Sequence, residues 1–378
     1  MIVRQIFADS KESSPDLSIL LGIDPDLVLV FGAVGRMDHP VLASLRTALP
    51  QAKLVGCSTA GEICGTQVQD DSLVLTGMRL EHGHCRVQEA AVETMGDSLE
   101  CGRSLGRSIE REGLRAVLVF APGVELNGSA LIDGLASELP VGVPISGGLA
   151  GDGGAFRGTL ILAPSGLHAR RAVAVSFYGE SLRIGHGSFG GWAPFGPVRK
   201  VTRCEGNVLF ELDGRPALGL YKEYLGAYAD GLPSSGLLFP FEMLDQESSP
   251  RGLIRTILGV DEAAGSLVLA GNIDPDGHLR LMHSNREALV DGAEAAAQRA
   301  REDFGAKGQT LALLVSCVGR KLVMGDGVDD EVQVVSEVLG RDASLAGFYS
   351  YGEIAPFSEA MDCQLHNQTM TVTWLGEA

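Results

Sequence analysis

Apolar runs alternate along this chain with amphipathic stretches, and the order repeats. Leu27 to Phe31 reads LVLVF, with no polar position, as expected of a strand buried on both faces. A Gly turn and Asp38 follow, then HPVLASLRTAL with helical spacing, a second strand leading into GCSTAGE, and a third strand, SLVLTGMRL. The plan returns as AVLVFAPGV, the helical SALIDGLASEL ended by Pro140, PISGGLAGD and RAVAVSFYG. It returns again as LALLVSCVGR, DDEVQVVSEVL, SLAGFYSYGE and TMTVTW. From first strand to Gly-rich loop is about 26 to 32 residues in each copy, the length of a strand–helix–strand unit. The closing strands alternate more clearly than the opening ones, which predicts one solvated face on each.

Two of the loops are written almost alike. VGCSTAGEIC (Val55 to Cys64) and GFYSYGEIAP (Gly347 to Pro356) share Gly, Gly, Glu and Ile at one spacing, and the middle copy has Gly151-Asp152 where the others have Gly61-Glu62 and Gly352-Glu353. Between the second and third copies, GHGSFGGWAPFGP (Gly185 to Pro197) reads as turn-rich. Asp213-Gly-Arg-Pro216 reads as a helix start, with Leu218, Tyr221, Leu225 and Tyr228 following at helical spacing as a packing stripe. Asp291 is expected to cap the alanine-rich helix GAEAAAQRARED. The fold class expected is mixed α/β (α+β), built from repeated strand–helix–strand units with Gly-rich loops. Two domains, 1–218 and 219–378, follow from a chain of 378 residues, long for one core.

Charge narrows the function. The formal net charge is −18, with six lysines and no basic stripe, which disfavours nucleic acid and anionic lipid as partners. MIVRQIFADSKESSPDL has no apolar h-region, and no apolar run reaches membrane-spanning length; the expected location is cytoplasmic. Seven cysteines form no CxxC and no paired zinc spacing, so they read as small core side chains in a reducing compartment.

Most catalytic signatures are absent. Gly185-x-Gly187-x-x-Gly190 fits a dinucleotide pattern, but GWAPFGP behind it cannot open the helix whose N-terminus would hold a pyrophosphate. There is no P-loop, GxSxG elbow, HExxH or EF-hand loop. Cys57 in its Gly-rich loop and Cys317, three residues before Arg320, leave a Cys-dependent enzyme open as an alternative. Glu62 and Glu353 either close their own turns or present carboxylates to a ligand. His366 and Asn367 stand in LHNQTM, a polar cluster at the start of a strand. Such groups need a hydrogen-bond network or a ligand, and the imidazole could serve as an axial metal ligand. His186 and His283 are weaker competitors; His82 and His84 read as exposed hairpin residues.

LVGCSTAGEI, GGLAGDGG, GWAPFGPVRKVTRCEGNVLFELDGRPALGLYKEYLG, SCVGR, GFYSYGEIAP and LHNQTM occur in this order. Together they resemble a FIST protein, with its N-terminal and C-terminal FIST domains, from about residue 25 to 375. The resemblance implies a small-ligand input module of signal transduction rather than an enzyme, with amino acids among the suggested ligands. Some stand-alone members resemble haem-binding nitric-oxide sensors that regulate a histidine kinase or a cyclic-di-GMP enzyme. This chain shows no kinase or GGDEF segment, so signalling would run through a separate protein, with a homodimer also admitted. The expected ligand-binding residues are Glu62, Tyr349, Tyr351, Glu353, His366 and Asn367. In the haem version His366 is the axial ligand to haem b, a placement that rests on its position and not on the family motif. Without haem, an amino acid or other metabolite fills the pocket; a scaffold with no ligand would fill it with its own side chains.

Overall fold

The computed structural model describes residues 1–8, 15–302, 304–356 and 363–378. The first copy comprises β1 (Ile2–Ala8), α1 (Ser18–Leu21), β2 (Leu27–Gly32), α2 (Pro40–Ala48), β3 (Lys53–Ser58), β4 (Glu62–Cys64), β5 (Gln67–Gln69) and β6 (Leu73–Arg79). The second comprises β7 (His84–Ala91), α3 (Ser98–Ser108), β8 (Leu114–Ala121), α4 (Gly128–Glu138), β9 (Ile145–Leu149), β10 (Ile161–Ala163), β11 (Gly166–His168) and β12 (Arg171–Tyr178). The third opens with β13 (Leu182–Phe189) and is then interrupted. The insertion holds β14 (Ala193–Glu205), β15 (Val208–Leu212), β16 (Arg215–Pro216), α5 (Ala217–Leu225), β17 (Phe241–Leu244), β18 (Pro250–Arg255), β19 (Ile257–Asp261), β20 (Ser266–Leu269) and β21 (His278–His283). The third copy resumes with α6 (Arg286–Arg301), β22 (Thr310–Cys317), α7 (Val318–Met324), α8 (Asp329–Leu339), β23 (Ala343–Ser350), β24 (Gly352–Pro356), β25 (Cys363–His366) and β26 (Met370–Glu377).

Each copy builds a sheet on one plan. The orders are β1-β6-β2-β3-β10-β11, β7-β12-β8-β9-β24-β25 and β13-β26-β22-β23-β4-β5. In each copy the two central strands run parallel (β2–β3, β8–β9, β22–β23), and the copy's last strand (β6, β12, β26) lies antiparallel beside the first of that pair. The outer two places are filled from another copy. The second copy gives β10–β11 to the first sheet, the third gives β24–β25 to the second, and the first gives β4–β5 to the third. The exchange closes a cycle, and the second and third sheets take strands from both sides of residue 218.

The inner faces of the sheets meet in one core. Phe31, Phe120 and Phe348 form its centre, with ring centroids 5.5, 4.7 and 6.0 Å apart in pairs. Phe31 and Phe120 come from first strands, while Phe348 comes from the second strand of its copy, opposite Val315. Leu29, Leu118 and Leu313 surround them. Outer faces are covered by helices: α1 and α2 through Leu20, Val41 and Leu45, and the other sheets by the helices of their own copies. Every residue of β26 is buried, so the solvated face expected of the closing strands is absent there: α6 covers the apolar side, Met370, Val372 and Trp374, and the side of Thr371 and Thr373 that alternation had left to water faces the inner core beside Val315 and Leu313.

Several local expectations change. The stretch read as turns at 185–197 is mostly β13 and β14. Gly185 and Gly187 are there because α6 lies against the strand; a Cβ would stand 2.0 Å from the Ala300 carbonyl oxygen and 1.8 Å from that of Ala296. α6 begins six residues earlier than expected, capped by Asn285, whose side chain accepts from the Ala288 N–H. Asp291 is therefore inside the helix, and Asp303, the last residue of the expected stretch, lies outside the described residues. α5 starts after Pro216, so 213–216 precede it; Leu218, Tyr221 and Leu225 pack into the core of the inserted sheet as expected, while Tyr228 lies beyond the helix and is half-exposed. No described helix is long and apolar enough to cross a membrane.

Candidate functional site

The two Gly-Glu loops are built as matching clamps. Glu62 is buried at the head of β4; one oxygen accepts from the Thr59 hydroxyl, the other from the Ser72 N–H (3.1 Å) and hydroxyl (2.6 Å). Glu353 repeats this with Ser350 (2.7 Å) and with the Thr369 N–H (3.1 Å) and hydroxyl (3.0 Å). Each carboxyl thus ties its own loop to the residue that starts the last strand of its copy. Burial raises both pKa values against these donors, that of Glu353 to about 8. A neutral Glu353 suits the geometry: its proton can go to Ser350 Oγ while Oε2 still accepts twice. Positive φ accounts for Gly61 (φ 139°) but not for Gly352. There a Cβ would press within 3.0 Å of Leu149 and Leu365 methyl groups, so packing selects glycine.

Asp152 does not take the place of those glutamates. The glycine of each second strand that lies under a first-strand carbonyl is Gly56, Gly147 or Gly347; Asp152 comes one residue sooner after it than Glu62 or Glu353 does. It closes its own loop, accepting from the N–H groups of Phe156 (2.8 Å), Arg157 (2.7 Å) and Gly158 (3.0 Å) and from the Tyr351 hydroxyl.

The tyrosines are likewise engaged. Tyr349 donates to Glu331, which also accepts from Ser316 (2.9 Å) and twice from the fully buried Arg320 (3.1 and 2.7 Å). Tyr351 stacks on Phe156 at 4.1 Å and lines a cavity of about 180 Å³ between the N-terminal end of α4 and β20.

His366 faces a different and larger space. A cavity of about 840 Å³ lies between β13, α6 and the inserted sheet, bounded by His186, Ser188, Trp192, Ile254, Met282, Arg299, His366 and Thr369. Thr369 is the residue that holds Glu353, and Glu353 lies directly across from His366 in the β24–β25 pair. The structure therefore brings His366 to the wall, with Glu353 one hydrogen bond behind it. Asn367 follows in the chain, buried, with neither side-chain atom bonded to a described residue. Glu62, Tyr349 and Tyr351 do not line this cavity.

The strongest unsatisfied groups here are ones the sequence ranked low. Both ring nitrogens of His186, and Ser188 Oγ, are out of solvent contact and have no hydrogen-bond partner among the described residues. Positions 184, 186 and 188 share the face of β13 opposite the two glycines pressed on α6. GHG was thus the available signal, but the glycines concealed the strand. Burial pushes His186 and His366 down to about 4, leaving both imidazoles neutral at pH 7. His366 Nε2 lies 3.2 Å from the Ala355 carbonyl oxygen. The cavity's carboxylates are ion-paired, Glu242 with Arg280 (2.6 Å) and Glu302 with Arg299. No group of three or more His, Cys, Asp or Glu able to hold a metal ion occurs among the described residues. Cys57 and Cys317 are buried, and burial raises both thiols well above their ordinary range, so neither is poised as a thiolate.

Residues 26–215 match the model of the FIST N domain and residues 217–356 that of the FIST C domain. An uncharacterized protein of Mycobacterium tuberculosis is 26% identical over 358 residues, covering 89% of this chain and 88% of the relative. One from Methanocaldococcus jannaschii is 25% identical over 201 residues, covering 50% of this chain and 38% of its own length. Among solved structures, the cyanuric acid hydrolase of A. caulinodans aligns over 100% of this chain and 99% of its own, at 10% identity and a TM-score of 0.38.

Proposed function

The chain belongs to the FIST family, whose domains are sensory modules of signal transduction, and on that footing we propose that it binds a small ligand in the cavity beside β13 and signals to a separate protein. The observation that carries the reading is His186 with Ser188: buried polar groups on a cavity wall, without partners, which a ligand would satisfy. Unpaired buried donors and acceptors cost roughly 1–3 kcal/mol each, so a native fold retains them where something else completes them. Around them Trp192, Ile254 and Met282 supply apolar wall, the usual mixture of a ligand site. The ligand is a metabolite such as an amino acid, and the partner is a histidine kinase or a cyclic-di-GMP enzyme.

A haem version rests on two uncharged imidazoles facing one partly apolar cavity. His186 offers free ring nitrogens; His366 has one nitrogen near the Ala355 carbonyl, the contact that commonly orients a ligating imidazole. Haem, when bound, would supply the iron that captures nitric oxide; the chain's part is the imidazole and the apolar walls.

Thermal unfolding across an amino-acid and metabolite panel, with haemin as one member, tests both. A ligand that binds only the folded state raises its midpoint, and His186→Ala should abolish the rise while leaving the unliganded midpoint close to wild type. Haemin should add a Soret band that shifts with nitric oxide and is lost in His186→Ala or His366→Ala. A protein that no member stabilises, and that refuses haemin, refutes the sensor reading.

A further inference from the structure

β13 is an edge strand: among the described residues it pairs with β26 and with no other strand. The Ala378 N–H donates to the Ser181 carbonyl (2.9 Å), at the end of that antiparallel ladder. Alternation along the ladder then turns the backbone groups of 183, 185, 187 and 189 toward β26 and those of Ile184, His186 and Ser188 outward. Neither the N–H nor the C=O of these three residues has a partner among the described residues. The corresponding edges of the other two sheets are guarded. β1 carries Arg4, and its Val3 N–H donates to Gln309 (3.2 Å); β7 carries Arg86 and Glu89. The stretch from Ile184 to Phe189, IGHGSF, has no charge.

The 840 Å³ cavity runs along this edge, since every residue from Ile184 to Trp192 borders it. α6 stands over the face of Gly185 and Gly187 and adds Ala295, Arg299 and Glu302, a stripe at helical spacing, to the cavity wall. Ile254 and Met282 of the inserted sheet close the trough with apolar side chains. An open strand edge beside a helix is the geometry in which an extended peptide is taken up as one more strand, its main chain supplying the missing hydrogen bonds. Ile184 to Ser188 spans five residues, about 17 Å at about 3.4 Å each. With α6 and the inserted sheet beside it, the edge admits a single strand more readily than the whole edge of a second copy. A net charge of −18 also opposes pairing of like chains and favours a basic partner.

We propose that an extended segment of the partner protein, alternating apolar with basic side chains, adds to β13 as a further strand of the third sheet. This rests on the reading of the cavity as a binding site but needs no small ligand. His186 and Ser188 belong to the same strand, so a ligand on their side chains bears directly on the docking.

Fluorescence anisotropy of a labelled heptapeptide, VKVKVKV, titrated with the full chain provides the test. Binding should be saturable, weaker at high salt, and tighter than that of VEVEVEV. N-methylation of alternate peptide amides should split the result. The set facing β13 should lose at least tenfold and the set facing away should stay within about twofold. Ser188→Pro removes an outward N–H and leaves the β26 ladder intact; it should bind several-fold more weakly than Ser188→Ala, which removes the hydroxyl alone. Should Ser188→Pro fail to fold, the N-methyl series decides. No saturable binding, equal loss from both N-methyl sets, or equal binding of VEVEVEV overturns the proposal. So does a wild-type dimer in sedimentation that Ser188→Pro dissolves, which would give the edge to a second copy. Peptide binding with a silent metabolite panel keeps this inference and sinks the small-ligand reading; stabilisation by a metabolite without peptide binding does the reverse.

Discussion

Replacing Glu353 by Gln should flatten the pH dependence of stability above pH 6.5. In the unfolded chain this carboxyl ionises near 4.5, and in the fold near 8. Between those values the folded state holds a proton that the unfolded state has lost. Glu353 therefore stabilises the fold most below 4.5, and that contribution drains away as pH rises through 8. His186 and His366 act oppositely and lower down: folded near 4 against 6.5 unfolded, they remove stability as pH falls below 6.5. Above 6.5 the unfolded-state imidazoles lose their remaining protons, and because both proteins carry the same histidines that part cancels in the difference between them. One pKa unit corresponds to about 1.4 kcal/mol, so the wild type should lose about 1.5 kcal/mol between pH 6.5 and 8 through this group alone. Glu62 is shifted in the same direction but is untouched by the substitution, so the readout is the difference between the two proteins. Gln keeps the geometry: its amide can donate to Ser350 and its oxygen can accept from Thr369. Urea unfolding across the window measures it. Parallel pH profiles for wild type and Glu353→Gln would mean that Glu353 is ionised in the fold and that its three donors outweigh burial.

Arg320→Met should cost about 3–5 kcal/mol in urea unfolding, because it strands Glu331 in the core, and adding Glu331→Leu should recover much of that loss. Iodoacetamide should leave Cys57 and Cys317 unmodified in the native protein and label both after unfolding, as read by mass spectrometry; native labelling of either at neutral pH would revive the thiol-enzyme alternative. Gly56→Ala should abolish soluble expression, since a Cβ there would stand 1.7 Å from the Val30 carbonyl oxygen, whereas Gly35→Ala meets nothing within 4 Å and should express as wild type.

The threefold plan was legible because its first strands are long and buried on both faces, so LVLVF, AVLVFA and LALLVSC stand out without context. The strand exchange was not. β4, β5, β10 and β11 are three residues each, too short to show a period, and their partners are chosen by the packed whole. β13 was hidden by its glycines, which report a helix lying on the strand and not a turn. His366 was visible as part of a polar cluster and does reach a cavity. That His186 lacks any partner among the described residues depends on which elements fold over it, and no spacing in the chain records it.

The repeated Gly-Glu pair gains a meaning from the exchange. Glu62 stands where the first copy leaves its own sheet to lend β4 and β5 to the third, and Ser72, which holds it, stands where the chain returns as β6. Glu353 and Thr369 mark departure and return in the third copy, around β24 and β25. The carboxyl is thus a clasp across each excursion, tying together the two ends of a lent hairpin whose own strands pair over only three to five residues. Only one clasp borders the large cavity: Thr369 both holds Glu353 and lines the wall that His186 and His366 share. A ligand there touches the point where the third copy locks into the second sheet, and through Trp192 and Ile254 it touches the inserted sheet as well. On the proposed reading, binding at that junction would shift the balance between the third copy's lock and the inserted sheet rather than fill an isolated hole.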